Sequence, residues 1–196
     1  GTSCGLIAPK AAASIDAGVI WMGRRSFFIY SGGAVTEIPC EVGDYVFSDM
    51  NNDQRSKIAA IPNSQWNEIW WFYPSSGSIE CDRYVVYDYV ENIWTIGQLD
   101  RTSGVDSGVF REPLWVDADG DVFEHEIGHS YSGGTPFAET GPIAIGAGDR
   151  LMRVTSLIPD EKTQGDVTAK FKTRFHPNAS ETEHGPFTMS NPTDVR

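Results

Sequence analysis

No part of this chain from Val19 to Ile38 runs long enough to hold a helix before a turn signal interrupts it. Val19-Ile20-Trp21-Met22 stops at Gly23, Ser26-Phe27-Phe28-Ile29-Tyr30 stops at Ser31-Gly32-Gly33, and Ala34 to Ile38 follows at once. Short apolar runs rich in β-branched and aromatic residues, cornered by glycine, read as antiparallel hairpins. The pattern returns further on. Glu68 to Tyr73 (EIWWFY) ends at Pro74, and Arg83 to Tyr87 leads through Asp88 to Asn92 into Ile93 to Ile96. Leu114 to Val116 runs through Asp117 to Gly120 into Val122 and Phe123. Helical periodicity is nearly absent; the best short helix is Asn51 to Lys57, with Asn51 or Asn52 as its cap. An all-β, antiparallel fold is therefore expected.

A loose repeat refines that expectation. Trp21, Trp70 and Trp115 recur at roughly 45 to 50 residues, the interval of one four-stranded propeller blade. Each opens a strand whose hairpin partner carries Tyr30, Tyr87 or Phe123. Trp70-Trp71-Phe72-Tyr73 is apolar on both faces, as a strand sandwiched between neighbouring blades would be. The expectation is a β-propeller-like region of two blades over residues 1–105, then a β-sandwich-like or further blade region over 106–196. An ordinary antiparallel sandwich is the alternative.

The last third predicts longer strands at Leu151 to Ile158 and Val167 to Phe175, joined by the charged loop Pro159 to Asp166 into an amphipathic hairpin. Because strand side chains alternate, Thr168, Lys170, Lys172 and Arg174 share a basic outer face. Solvation, or pairing with acidic residues on an adjacent strand or subunit, explains such a face most simply; contact with DNA or lipid is the sharper reading.

One motif argues for catalysis. His125-Glu126-Ile127-Gly128-His129 matches H-E-x-x-H, which in zinc peptidases supplies two ligands and a general base from one helix. Here Asp119-Gly120 precedes it and Ser132-Gly133-Gly134-Thr135-Pro136 follows, Gly128 sits inside it, and no helical period surrounds it. On a strand, His125 and His129 would stand about 13 Å apart at roughly 3.3 Å per residue, too far to share one ion. The usual extension is missing too, with Ser132 where Gly is expected, and His176 and His184 are remote. A zinc metallopeptidase using His125, Glu126 and His129 stays as an alternative, and no catalytic, cofactor-binding or metal residue is assigned.

Asp117, Asp119 and Asp121 resemble the start of a calcium loop, but Gly120 comes too early for an EF-hand and the flanks read as strands. An acidic hairpin turn accounts for the letters, with weak calcium binding left open. Gly141 to Gly148 is glycine-rich yet fits neither a Walker loop nor a Rossmann turn, and no paired carboxylates declare a glycosidase. The wealth of aromatics, Trp66, Trp70, Trp71, Tyr73 and Trp94, suggests a receptor- or glycan-binding module, though core packing explains most of them.

The net charge of −12 argues against wrapping nucleic acid, since that needs an excess of Lys and Arg. It permits DNA to pass nearby, repelled and not gripped. Cys4, Cys40 and Cys81 are odd in number and form no C-x-x-C pair, so a reducing compartment during synthesis is expected. Nothing approaches about 18 consecutive apolar residues, the length of a membrane span. The chain begins Gly-Thr-Ser and stops at Asp194-Val195-Arg196, so a piece of a longer polypeptide is expected.

Three long phrases carry a family resemblance. They are GVIWMGRRSFFIYSGGAVTEIPCEVGDYVF, NEIWWFYPSSGSIECDRYVVYDYVENIWTIGQLDRT, and FAETGPIAIGAGDRLMRVTSLIPDE with GDVTAKFKTRFHP. Together they span nearly the whole chain, and they resemble tail nozzle or tail accessory proteins of short-tailed bacteriophages and their relatives. That resemblance implies a non-enzymatic virion component: a propeller-like platform assembled in the host bacterial cytoplasm as a homo-oligomeric ring, hexameric in the better-known nozzles. It would join other tail or adaptor proteins, retain packaged DNA, and form the conduit for its ejection. It carries over no catalytic residue, cofactor or metal.

Overall fold

The computed structural model describes residues 4–128, 135–143, 151–157, 167–189 and 193–194. The fold is all-β and antiparallel, with short helical segments at Gly43–Asp49, Asn52–Lys57 and Ser64–Trp66. Two compact units divide at Pro136/Phe137. The expected boundary at 105/106 instead cuts a sheet, because Val105 pairs with Leu114 across it.

In the first unit, β1 (Ala12–Ile15), β2 (Gly18–Met22), β3 (Phe27–Ser31) and β4 (Ala34–Ile38) form a meander in chain order. Gly32 and Gly33, both with positive φ (58° and 86°), make the two-residue β3–β4 turn that expected glycine corners demand. A second meander follows the same order: β5 (Ala59–Asn63), β6 (Glu68–Tyr73), β7 (Arg83–Asp88) and β8 (Ile93–Gly97). A third sheet holds β9 (Ser103–Val105), β10 (Leu114–Val116) and β11 (Val122–Glu124). Trp21, Trp70 and Trp115 each lie on the second strand of their own sheet, so the tryptophan repeat tracks the strand order. Among the described residues no sheet closes into a barrel.

The core explains why EIWWFY is apolar on both faces. Ile69, Trp71 and Tyr73 point into a large cluster shared with the first sheet, including Ile20, Met22 and Phe27. On the other face, Phe72 and the half-buried Trp70 join Ile61, Cys81 and Trp115 of a second cluster. The indole N–H groups pin these layers: Trp71 donates to the Ala11 carbonyl at 3.0 Å and Trp94 to that of Pro39 at 2.9 Å. A tryptophan buried this way keeps its one polar atom satisfied. Phe27 sits against both rings, with centroids 4.9 Å from Trp71 and 4.5 Å from Trp94.

Between β4 and β5 lie α1 (Gly43–Asp49) and a 3-10 helix at Asn52–Lys57. The latter is the helix expected at Asn51 to Lys57, tightened to 3-10 geometry, with the Asn51 side chain accepting from the Asp53 N–H as its cap. Alternation alone missed β1 and β5; β5 reads Ala-Ala-Ile-Pro-Asn, with Pro62 obscuring it. It takes an outer position of its sheet, where proline is tolerated.

In the second unit, β13 (Val167–Thr173) pairs with β14 (Thr182–Met189), and β12 (Ser156–Leu157) pairs with β15 (Thr193–Asp194). The expected hairpin of Leu151 to Ile158 with Val167 to Phe175 is thus corrected. Residues 151–155 form no strand, and β13 finds its partner downstream. The chain returns from β13 to β14 through a turn at Pro177 to Ala179, in which Ala179 donates its N–H to the His176 carbonyl at 2.9 Å.

Candidate functional site

The zinc-like signature begins where β11 ends. Upstream, the β10–β11 turn is closed by Asp117, whose Oδ1 accepts from the N–H groups of Asp119 (3.0 Å) and Asp121 (2.9 Å). Thr102 donates its hydroxyl to the Asp117 carbonyl at 3.0 Å, and Gly120 adopts φ 92°. The carboxylate expected to open a calcium loop is thereby spent on turn geometry. Among the described residues, no group of three or more His, Cys, Asp or Glu side chains is arranged to hold a metal ion.

Val122–Glu124 is extended, and Glu126 and Gly128 both take positive φ, 64° and 79°. A left-handed residue inside the motif breaks any helix that would stack His125 over a residue four positions on. His129 lies outside the described residues. His125 donates its backbone N–H to the Pro113 carbonyl at 2.9 Å, and its ring lies on the Trp115 indole. Its Nε2 accepts from Arg101 Nε at 3.0 Å, so that lone pair is engaged. Burial first, and the Arg101 charge second, push the imidazole down to about 4.

Arg101 anchors the cluster. It is buried, donates to the carbonyl and carboxylate of Asp100, and places its guanidinium 3.9 Å from the centroid of the Phe123 ring. Burial pulls its pKa below the ordinary value, while Asp100 and Asp117 oppose that shift. Sequence reading overlooked Arg101 because no motif flags a lone arginine after a loop.

Glu126, the general base in the peptidase reading, has a structural partner. Its Oε1 accepts from Nδ2 of Asn63 at 3.1 Å, and Asn63 is fully buried at the end of β5. Glu68 stands nearby: burial raises its pKa most, Glu126 and Asp88 add to the rise, and hydrogen bonds from Trp70 (2.8 Å) and Asn63 counter it.

These carboxylates belong to an acidic end of the first unit. Lys10 bridges Ala59 in parallel, so β1 and β5 start side by side and the turns that follow them share one end. Asp16, Asp106 and Asp88 all act on Tyr89 there, reinforcing the rise that burial gives its phenol. The loops at this end are Asp16–Ala17, Gly32–Gly33, Ser64–Asn67, Tyr89–Asn92 and Asp106–Pro113. Only the last contains a Lys or Arg, and that Arg111 is paired with Glu112 at 3.3 Å. Net charge alone does not show this segregation, in which carboxylates at one end of the strands have a single arginine among the loops.

The remaining candidates settle quickly. Trp71, Tyr73 and Trp94 are core residues and Trp70 is half-buried, leaving Trp66, 53% exposed, as the one aromatic of that group free to meet a sugar. On β13, Lys170 pairs with Glu183 (2.7 Å) and Lys172 with Glu139 (2.6 Å), and just past its end Arg174 meets Glu181 (4.0 Å), as a basic face matched by neighbouring acids would. Of the glycine-rich stretch, residues 144–148 lie outside the described residues. The chain matches no protein-family model and no curated protein.

Proposed function

We propose that this chain is a structural subunit of a bacteriophage tail, a ring-forming nozzle or adaptor-type component that retains packaged DNA and lines its exit. The observation that carries the reading is the pair of successive four-stranded meanders, in chain order, with one end of the strands bearing carboxylates and, in its loops, a single arginine already paired with Glu112. Stiff antiparallel sheets suit a ring subunit under load, and their order is that of propeller blades. A carboxylate-rich end suits a lumen, because fixed negative charge repels phosphates within a Debye length of about 8 Å at physiological salt. DNA then slides past without a footing.

Support also comes from what the zinc-like letters do here. His125 and Glu126 serve as packing and hydrogen-bonding partners of Arg101 and Asn63, as residues of a structural scaffold would. Self-association into a ring, contacts with other tail or adaptor proteins, and a place in the virion all belong to this proposal. No helix among the described residues is long and apolar enough to cross a membrane.

Negative-stain microscopy of the purified chain at micromolar concentration tests it. Closed rings of uniform copy number are expected, with the acidic ends facing the central opening. Only monomers across the concentration range would overturn the proposal.

A further inference from the structure

At the strand ends opposite the acidic loops, the β2–β3 turn and the helical connection flank a half-open concavity of about 590 Å³. Arg24 and Arg25 reach it from the turn and Arg55 from the 3-10 helix, with Phe47 of α1 and Ile7 supplying apolar wall. Asp44 is the single carboxylate in the lining. Among the described residues, none of these three exposed arginines has a carboxylate within ion-pair distance. In a chain with 27 acidic and 15 basic side chains, three exposed guanidinium groups around one hollow with a single carboxylate make a local positive patch that attracts an anion.

The geometry selects the anion. One carboxylate offers two oxygens in a plane and is satisfied by one or two guanidinium forks. A phosphate presents oxygens in several directions and accepts forks arriving from separate segments. The hollow is also larger than a bare ion needs, falling within the roughly 300–1,000 Å³ of small-molecule sites.

We propose that this concavity binds a phosphate-bearing ligand of about nucleotide size, with Arg24, Arg25 and Arg55 on the phosphate and the Phe47 face available to the attached ring. A free nucleotide and the terminal or bridging phosphate of a nucleic-acid strand share that chemistry. The site is separate from the acidic end and does not depend on ring assembly.

Calorimetric titration of the full chain with inorganic phosphate, adenosine monophosphate and a short single-stranded oligothymidylate tests it at low salt. The nucleotide is expected to bind one to one and to be displaced by phosphate. Arg55→Ala and the pair Arg24→Ala with Arg25→Ala should each weaken binding by roughly tenfold or more, with circular dichroism unchanged. Lys172→Ala, in the other unit, should leave it unaltered. Tighter binding of the oligothymidylate than of the mononucleotide would assign the ligand to a nucleic-acid strand, and the reverse to a free nucleotide. The proposal is overturned if none of the three binds, if binding ignores the arginine variants, or if polyglutamate binds as tightly, which would mark a carboxylate site for an acidic protein segment.

Discussion

The imidazole of His125 lies nearly flat on the indole of Trp115, with ring centroids 3.9 Å apart and planes 30° from parallel. Arg101 donates to the free edge of that imidazole. A histidine wedged between a buried indole and a guanidinium must stay neutral, and pH dependence follows from that. In the unfolded chain the ring takes up its proton near 6.5; in the folded chain it does so near 4. Between those values the unfolded state binds a proton that the folded state refuses, so stability falls as pH drops from 6.5 to 4 and this loss ends below 4. Urea midpoints for the wild type and His125→Gln at pH 7, 5.5 and 4 check it. The variant should lose less stability on acidification.

Gly104 on β9 faces Trp115 more closely than any side chain could. A β-carbon there would lie 2.4 Å from Trp115 Cδ1 and 3.0 Å from two Ile61 carbons. Gly104→Ala should cost about 1–3 kcal/mol as an overpacked contact. Trp115→Ala, emptying the second core cluster, should cost about 3–5 kcal/mol. Equilibrium denaturation measures both, and a neutral Gly104→Ala would mean that the third sheet packs on the second differently.

Cys81 is buried in that same cluster, and burial pushes its thiol up to about 12. Cys40 is raised to about 11 by the same cause. Since only the thiolate attacks, a disulfide reagent at pH 8 should leave Cys81 unlabelled in the folded chain and modify it fully in denaturant. Mass spectrometry of labelled peptides gives the answer residue by residue.

Much of this arrangement was legible in the amino-acid order. Gly23, Gly32-Gly33 and Asp119-Gly120 mark corners, and aromatic runs between them mark strands, because both signals are local. Glu68–Tyr73 and Leu114–Val116 fall where those signals place them. Legibility fails where the determining partner is distant. Arg101 means nothing until β10 and β11 bring His125 and Phe123 to it. Asn63 and Glu126 meet across 63 positions. Strand β13 pairs downstream where chain order suggests an upstream partner, because apolar alternation says that a strand exists and not which strand it pairs with. The H-E-x-x-H letters likewise carry chemistry only on a helix, and the positive φ at Glu126 removes it.

Charge at the acidic end should control contact with DNA. Asp88 and Asp106 hold turn N–H groups and are unsuitable for substitution. Asp16 and Glu91 are exposed on neighbouring turns. The double variant Asp16→Lys, Glu91→Lys adds four units of positive charge at this end, from two carboxylates lost and two ammonium groups gained. It should retard duplex DNA in an electrophoretic assay at low salt, where the wild type does not, and lose that effect as salt rises. Equal mobility for both proteins would dissociate the carboxylates from any DNA-handling role.

Native mass spectrometry of the 21.6 kDa chain, recorded after incubation with zinc, tests a structural ring subunit against a metalloenzyme in one spectrum. The expected result is a closed oligomer of one defined copy number with no stoichiometric zinc. A monomer carrying one tightly held zinc ion, lost on His125→Ala substitution, would contradict it.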